Sequence, residues 1–201
     1  MNSFPLYQRF PVLVTKRLRL RELRPTDAES IFSYKNRTDY VQFPYVKRHT
    51  DLLESQQFIR DSLQDYYKKI GICWGITIVP QDNIIGTVGL WVLERDAEID
   101  HRAEIVCELS SDFHRQGIMT EARTAVINHV FSEWKGVNRI HSEVAATNVP
   151  SLQMNRKLGF VVEGTLRAFE KSDDGSYIDI HILGLLRSDW EKSLCKGYCM
   201  D

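Results

Sequence analysis

The sequence predicts a mixed α/β fold of the α+β kind, in which helices flank a largely antiparallel central sheet. Segments with the apolar period of a strand alternate with segments of helical period along the chain. A strand, a helix and a strand also follow one another near its middle, an order that requires a parallel crossover. With 201 residues the chain can bury one core. We expect a single domain over residues 1–201, with its core in about residues 12–190 and a short C-terminal tail.

The first half of the chain predicts a strand and two helices ahead of a three-stranded meander. LRLREL alternates as a strand does, and TDAE supplies a capping box from Thr26 to Glu29 for a helix through about Asn36. Apolar residues at helical spacing indicate a second helix from Asp51 to about Lys69. The apolar runs CWGITIV, IIGTVGLWVL and AEIVCEL follow, and their polar connections favour antiparallel neighbours at the centre of the sheet.

The second half predicts a helix, a strand, a helix and a closing hairpin. The first helix runs from about Gly117 to Trp134 and would end near Gly136. NRIHSEVA alternates as a strand, and NVPSLQMNRKL predicts a helix capped by Asn148 and ended by Gly159. FVVEGTL begins the next strand, and SDDGS marks the turn into the last one, YIDIHILGLL. The inward stripe of the Gly117 helix should be Ile118, Ala122, Val126, Val130 and Trp134.

The composition favours neither a strongly electrostatic partner nor a membrane. Hydrophobic residues make up 43%, charged residues 26%, and the formal net charge is −1, as in ordinary folded proteins. No run of about eighteen apolar residues is present, and the first residues lack a signal-peptide pattern, so we expect a cytoplasmic protein. A mildly acidic chain does not favour a nucleic-acid acceptor. The basic run from Lys16 to Arg24 alternates with Leu18 and Leu20, which favours the wet face of a strand over a phosphate-binding patch.

The four cysteines predict neither a zinc site nor a disulfide framework. Cys195 and Cys199 are close in sequence, but zinc would need a second pair or nearby histidines. Cys73 and Cys107 lie in apolar runs. We expect reduced thiols, no bound metal and a frayed C-terminus.

The segment HRQGIM, which leads into the predicted helix at Gly117, suits an anion. The N-terminus of a helix exposes N–H groups without internal acceptors and concentrates partial positive charge, so it can hold a phosphate without Lys or Arg. Gly117 allows close backbone approach or a positive φ. A purely conformational role for this glycine is the alternative.

Three motifs in order resemble those of the GNAT superfamily of N-acetyltransferases. The turn between AEIVCELSSDF and TEARTAVINHVFSE is similar to the family's motif of a strand, Q/R-x-x-G-x-G/A and a helix. NVPSLQMNRKLGFVVEGTLR resembles its second signature, N-x-x-S followed by K-L-G-F. LVTKRLRLRELRPTDAESIF looks like the start of the branch that includes the RimJ and RimL ribosomal-protein N-acetyltransferases. His114 and Met119 depart from the first motif, but neither removes a main-chain donor.

The resemblance implies direct transfer of an acetyl group from acetyl-CoA to a primary amine in a ternary complex. The strand ending near Leu109 and the strand from Ile140 to Ala145 would splay apart, with the pantetheine in the gap. The pyrophosphate would lie on main-chain amides of the turn, while Asn148 and Ser151 would contact the cofactor near its thioester. The cofactor-binding residues so implied are Leu109, Ser110, Arg115, Gln116, Gly117, Ile118, Met119, Thr120, Asn148 and Ser151.

The catalytic residues implied by the resemblance are Glu104 and Ser151. Only a neutral amine attacks a carbonyl, so a base or a water relay is required. Glu104 resembles the base position of histone-acetylating members, and Glu108, on the same side of an ideal strand, is the competing candidate. Ser151 would protonate the departing thiolate, with Tyr177 as the alternative. A nucleophilic role for Cys107 is less favoured than packing.

The acceptor stays open at this point. A protein N-terminal α-amine and a small-molecule amine both fit, and homodimers are common among relatives. The strand with Tyr177, Asp179 and His181 on one face either lines the acceptor pocket or is simply polar there. A catalytically silent GNAT module that binds CoA as a sensor is the alternative function, and a nucleotide-binding fold is disfavoured because G-x-G-x-x-G is absent. The aromatic residues placed where relatives bind acceptors are Tyr40, Phe43, Tyr45 and Trp91.

Overall fold

The structure is a computed structural model, and it describes residues 9–37, 48–92, 101–172 and 175–197. Several residues named above lie outside these ranges: Tyr40, Phe43, Tyr45, Cys199 and the two aspartates of SDDGS. The predictions made for them stay predictions.

Eight strands and five helices make up the described chain. The strands are β1 (Leu13–Val14), β2 (Leu18–Glu22), β3 (Gly71–Ile78), β4 (Gly86–Val92), β5 (Arg102–Leu109), β6 (Arg139–Ala145), β7 (Val161–Lys171) and β8 (Tyr177–Leu186). The helices are α1 (Ala28–Lys35), α2 (Leu52–Tyr67), α3 (Ile118–Glu133), α4 (Val149–Lys157) and α5 (Arg187–Gly197).

The sheet confirms the predicted mixed, mostly antiparallel class. Its strand order is β1-β2-β3-β4-β5-β6-β8-β7. Among the pairs whose registers are described, β5 and β6 are parallel and the others are antiparallel. The crossover from β5 through α3 to β6 is therefore the predicted strand–helix–strand unit.

The chain forms two compact units. The first contains the chain up to Val92 together with Ile105–Trp134, and the second contains Leu93–Glu104 together with Lys135–Asp201. In the second unit, the ladder between β5 and β6 begins at Arg102↔Arg139 and ends at Glu104↔His141. These three pairs join the start of β5 to the start of β6.

The first unit is built on β2, β3 and the helices α1 to α3. Leu18 and Leu20 are fully buried, as their alternation predicts. The α3 stripe is confirmed, because Ile118, Ala122, Val126, Val130 and Trp134 are all buried. The helix ends at Glu133 with Trp134 as its C-cap. This end lies close to Gly136, as predicted, although Gly136 is not among the glycines with positive φ.

Arg21 corrects the prediction that the basic run of β2 faces water. Its residue exposure is 3%, and its guanidinium donates to both oxygens of Asp27 at 2.8 and 2.9 Å. Its Nε also donates to Asp82 Oδ1 at 2.7 Å. A guanidinium is tolerated in such a position because two carboxylates offset its charge. Alternation predicts exposure but cannot show that acidic partners arrive from other segments.

The start of α1 also differs from the prediction. Pro25–Asp27 form a 3-10 turn, and Asp27 rather than Thr26 is the N-cap of α1. The Asp27 carboxylate accepts a hydrogen bond from the main-chain N–H of Arg24 at 2.7 Å. Pro25 starts the 3-10 turn one residue before Thr26. Asp27 is the last residue of that turn and directly precedes Ala28, so it is the N-cap of α1.

The second unit packs α4 and α5 with the strands β6 to β8. β6 pairs with β8, and β8 pairs with β7 through two register shifts. Asn148 caps α4 and Gly159, with φ +88°, follows its end, as predicted. The last helix was not predicted: α5 runs from Arg187 to Gly197 and carries Cys195, an exposed free thiol, while residues 198–201 lie outside the described ranges.

Candidate active site

The turn between β5 and α3 contains two left-handed residues. Arg115 has φ +59° and Gly117 has φ +74°. Glycine adopts this conformation at no steric cost, whereas it is uncommon for arginine. Gly117 is the N-cap of α3, which begins at Ile118.

Contacts inside the protein fix the start of the turn. The N–H of Ser110 donates to Ile85 O at 2.8 Å, and the N–H of Phe113 donates to Ser110 O at 3.0 Å. His114 Nε2 donates to the carbonyl oxygen of Leu109 at 3.0 Å. Main-chain groups of Leu109 and Ser110 are therefore used in the protein's own structure, while their predicted cofactor contacts stay predictions.

The end of the turn presents a run of main-chain donors. Within the described chain, the N–H groups of residues 115–120 donate no hydrogen bond to protein atoms. No side chain caps Gly117, although its carbonyl oxygen accepts the N–H of Glu121 at 3.0 Å. These donors stand at the positive end of a helix of 16 residues. The arrangement suits an anion with several oxygens, such as a diphosphate.

Charged side chains from two other segments reach this turn. Arg17 donates from Nη1 to Gln116 O at 3.1 Å and from Nε to Glu121 Oε2 at 2.7 Å. Arg37 binds the Asp112 carboxylate at 2.8 Å. The sequence analysis missed both arginines, because nothing in a local pattern shows that the residue before β2 and the residues after α1 meet this turn.

Glu108 lies at the end of β5 in a buried ion pair. Lys35 Nζ is 2.8 Å from Glu108 Oε2, and the two side chains are 5% and 10% exposed. Lys35 also lies 4.4 Å from the centre of the Phe58 ring. Burial and the Glu108 charge raise the pKa of the neighbouring Cys73 thiol to about 12. The Glu108 carboxylate is thus engaged by an ammonium within the first unit.

Glu104 has the environment that a general base requires. It is half-buried, and neither an ion pair nor a hydrogen bond engages its side chain among the residues that the structure describes. Burial raises the pKa of its carboxyl group, and the charge of Glu143 raises it further. Its register neighbour on β6 is His141, whose pKa is lowered by burial and by nearby arginines. A carboxylate with a raised pKa accepts a proton more readily near neutral pH.

The first turn of α4 holds the other predicted residues. Asn148 Oδ1 accepts the N–H of Ser151 at 3.2 Å, so the capping role of Asn148 is confirmed. The buried Asn155 donates from Nδ2 to Ser151 O at 2.9 Å and to Ser151 Oγ at 3.4 Å. A hydroxyl that accepts from Asn155 keeps its own hydrogen for another acceptor. Asn155 was not singled out from the sequence, since an asparagine inside a helix carries no distinctive signal.

The alternative candidates have local roles. Tyr177 is 66% exposed. Asp179 accepts the N–H of Ala168 at 2.7 Å, and His181 Nδ1 is hydrogen-bonded to Thr165 Oγ1 at 2.8 Å. These last two contacts support the polar-face interpretation of β8. Trp91 donates from Nε1 to Asp65 Oδ2 at 3.2 Å.

Cys107 has the surroundings of a packed thiol. Burial raises its pKa, and Arg123 Nη1 lies 3.9 Å from its sulfur. Because the thiolate is the nucleophile, a raised pKa disfavours covalent catalysis at this position.

No group of three or more His, Cys, Asp or Glu residues in the described ranges is placed to hold a metal ion. Likewise, none of the described helices combines the length and the apolar character needed to cross a bilayer.

Comparisons with known proteins agree with these motifs. The family model described as the acetyltransferase (GNAT) domain matches residues 17–161. A protein named "Uncharacterized N-acetyltransferase YoaA", from Bacillus subtilis (strain 168), is 30% identical over 178 residues, which are 89% of this chain and 98% of YoaA.

Solved structures share the fold. RimL, the ribosomal L7/L12 α-N-protein acetyltransferase in complex with coenzyme A, has a TM-score of 0.75 at 19% identity, and the match covers 88% of this chain and 98% of that chain. The microcin C7 self-immunity acetyltransferase MccE, in complex with acetyl-CoA and AMP, has a TM-score of 0.70 at 22% identity, with coverages of 86% and 93%. At these identities the likeness establishes the fold.

Proposed function

Because the chain belongs to the GNAT acetyltransferase family, we propose that it transfers an acetyl group from acetyl-CoA directly to a primary amine in a ternary complex. The observation that carries this proposal is the run of unpartnered main-chain N–H groups at residues 115–120. Coenzyme A contains a diphosphate, which is the type of anion that such a run binds. Complexes of RimL with coenzyme A and of MccE with acetyl-CoA support the same donor.

The turn fits the donor through its backbone. The amides of residues 115–120 would hold the diphosphate, and the exposed turn offers access for it. The bound donor supplies a thioester, whose carbonyl carbon is the acetyl source. Because main-chain groups make these contacts, the departures at His114 and Met119 leave the donor assignment intact.

Glu104 would remove the proton from the acceptor amine. A lysine-like amine has a pKa near 10.4 and an α-amine one of about 7.7 to 8.0, so most of an amine acceptor is protonated at neutral pH. Burial raises the pKa of Glu104. The pKa of Glu104 is therefore closer to that of the amine than the pKa of an exposed glutamate is. The Lys35 contact disfavours Glu108 for this role, while a water relay from Glu104 would perform the same chemistry.

Ser151 would donate a hydrogen bond to the departing thiolate. Its hydroxyl is oriented by Asn155, and its position in the first turn of α4 is set by the Asn148 cap. A hydroxyl donor offsets negative charge that develops on sulfur as the acetyl group leaves. Tyr177, which is largely exposed on β8, is the weaker candidate.

The acceptor class that we favour is a protein N-terminal α-amine, with a small-molecule amine as the second. RimL, a ribosomal L7/L12 α-N-protein acetyltransferase, and a ribosomal-protein-S5-alanine acetyltransferase from Vibrio fischeri share this fold, and both act on proteins, as their names say. MccE, the microcin C7 self-immunity acetyltransferase, has the same fold in another setting. Substrate choice within one fold depends on local pocket residues.

A thiol-release assay tests the proposal. Purified protein is incubated with acetyl-CoA and a panel of N-terminal peptides, polyamines and amino-sugar drugs, and free CoA is measured over time. We expect release that depends on one acceptor class and is lost in Glu104→Gln. Binding of CoA without turnover on any acceptor would favour the silent sensor module instead. Failure to bind CoA would contradict both.

A further inference from the structure

We propose that Arg17 is a positioning residue for cofactor binding, which keeps the main-chain N–H of Gly117 turned toward the diphosphate. This inference rests on the proposed function, because it assigns a role at the same turn. Arg17 precedes β2 and is 99 positions from Gln116 in the chain.

The Arg17 guanidinium spans the turn and the first turn of α3. Nη1 donates to Gln116 O at 3.1 Å, and Nε donates to Glu121 Oε2 at 2.7 Å. Nη2 lies 3.7 Å from the place that a Cβ atom at Gly117 would take. One planar group therefore fixes two points that lie on either side of Gly117.

The contact with Gln116 O decides the direction of a donor. The carbonyl of Gln116 and the N–H of Gly117 belong to one planar, trans peptide unit, so they point in opposite directions. Because Arg17 holds the oxygen, the hydrogen points away from the guanidinium. A rotated unit would present a carbonyl oxygen to the anion in place of an N–H, which would replace attraction by repulsion.

The backbone alone does not fix this peptide unit. Glycine tolerates both signs of φ, so the unit before Gly117 can rotate at little cost. Arg115 holds φ +59°, a conformation that disfavours a residue with a Cβ atom and that needs outside contacts to persist. The Gln116 side chain supplies one such contact, from Nε2 to Asp112 O at 2.9 Å. Arg17 supplies the contact to the unit itself.

Glu121 keeps Arg17 in place. Its carboxylate accepts from Thr15 Oγ1 at 2.5 Å and from the N–H of Arg17 at 3.1 Å, in addition to Nε. Burial acts against ionisation of Glu121, but the hydrogen bonds from Thr15 and Arg17 outweigh it and lower its pKa. The Arg17 side chain is 45% exposed, so solvent screens its charge. The Arg17 side chain therefore contributes mainly by orienting the peptide unit, and its charge contributes little.

Calorimetric titration with CoA and with dephospho-CoA tests this role. Dephospho-CoA lacks the 3′-phosphate but keeps the diphosphate. In Arg17→Met we expect the Kd of both ligands to rise by about tenfold, the effect of one misdirected donor to a charged group. Arg17→Lys, which can still bond Gln116 O, should lose less. Arg19→Met, an exposed position on β2, is the matched control and should bind both ligands as the wild type does.

Several results would overturn the assignment. A loss seen with CoA alone would mean that Arg17 contacts the 3′-phosphate, and unchanged Kd values in a folded variant with a lower Tm would mean a purely structural role. If Arg17→Met does not fold, the Kd values of CoA and dephospho-CoA are measured for Arg17→Lys and Glu121→Gln instead. Unchanged Kd values for both ligands in these two variants reject the proposal. If the wild type binds neither ligand, the proposed function fails together with this inference. If the wild type binds CoA and the variants bind it equally well, the role of Arg17 is rejected but the proposed function is not.

Discussion

Lys35 lies beside Glu108 with 2.8 Å between Nζ and Oε2, and neither side chain has more than a tenth of its surface exposed. The pair connects the last turn of α1 with the end of β5, directly before the turn that leads into α3. A buried charge is stable only when a partner offsets its lost hydration. The two residues therefore depend on each other.

Removing one partner should destabilise the protein. In Lys35→Met the Glu108 carboxylate stays buried without its ammonium, and we expect a loss of about 3–5 kcal/mol in the free energy of unfolding. Urea denaturation measures it. Lys16→Met, at an exposed position, is the control and should change stability by less than about 0.5 kcal/mol. The double variant Lys35→Met/Glu108→Leu should recover much of the loss. Equal stabilities of Lys35→Met and the control would show that the pair is not needed.

Substitution of Glu104 should slow catalysis and alter its pH dependence. If Glu104 is the general base that we propose, it must be ionised to act, so kcat/KM should rise with pH through its raised pKa. Glu104→Gln should lose this limb and at least about 100-fold in rate. Glu191→Gln, exposed on α5, should behave as the wild type. A Glu104→Gln enzyme with an unchanged pH profile would assign the base elsewhere.

The same substitution should stabilise the fold at neutral pH. The folded pKa of Glu104 lies above its ordinary value of 4.5, so folding favours the protonated form. That contribution is complete below pH 4.5 and is lost as the pH rises through the folded pKa. A glutamine is neutral throughout. Glu104→Gln should therefore have a higher Tm than the wild type at pH 7, and the difference should vanish in acid. A lower Tm at pH 7 would contradict the effect of burial.

Ser151→Ala should reduce turnover more than cofactor affinity. Loss of one oriented donor to developing charge costs about 100-fold in kcat, whereas main-chain contacts to the diphosphate are unaffected. Steady-state kinetics and CoA titration separate the two quantities. Ser193→Ala, whose hydroxyl donates only locally to Trp190 O, serves as the control. A normal kcat in Ser151→Ala would contradict this role and would favour Tyr177 as the hydrogen-bond donor to the thiolate.

Gly117→Arg should abolish the rise in Tm that CoA produces. The side chain would block close approach to the turn, and φ +74° adds roughly 1–2 kcal/mol of backbone cost. Gly175→Arg carries the same cost, because Gly175 has φ +85° and open space around it, but it lies in the β7–β8 hairpin. The control should lose stability yet keep the CoA effect. Undiminished CoA stabilisation of Gly117→Arg would count against the binding turn.

Periodicity predicted most of the fold because burial follows it directly. The α3 stripe from Ile118 to Trp134 and the strand residues Leu18 and Leu20 are buried where their spacing places them. Arg21 is buried against the same rule, since Asp27 and Asp82 reach it from later segments. The α5 helix was missed because its sequence is mostly polar and has no clear apolar stripe.

The candidate site was predictable where a motif is contiguous. The turn around Gly117 and the Asn148 cap both follow from local backbone requirements, and both have the expected form. Long-range partners were not predictable. Arg17 meets Gln116, and Lys35 meets Glu108, only after distant segments fold together. Such contacts depend on the tertiary structure, so local patterns in the sequence do not predict them.

The unpartnered amides at residues 115–120 also affect how this turn can change over evolutionary time. Every amino acid except proline supplies the same N–H, so side chains along the turn can vary widely while recognition persists. Selection then acts mainly on the glycine that sets the bend and against proline. Divergent descendants should for this reason keep their ligand long after pairwise sequence similarity has faded.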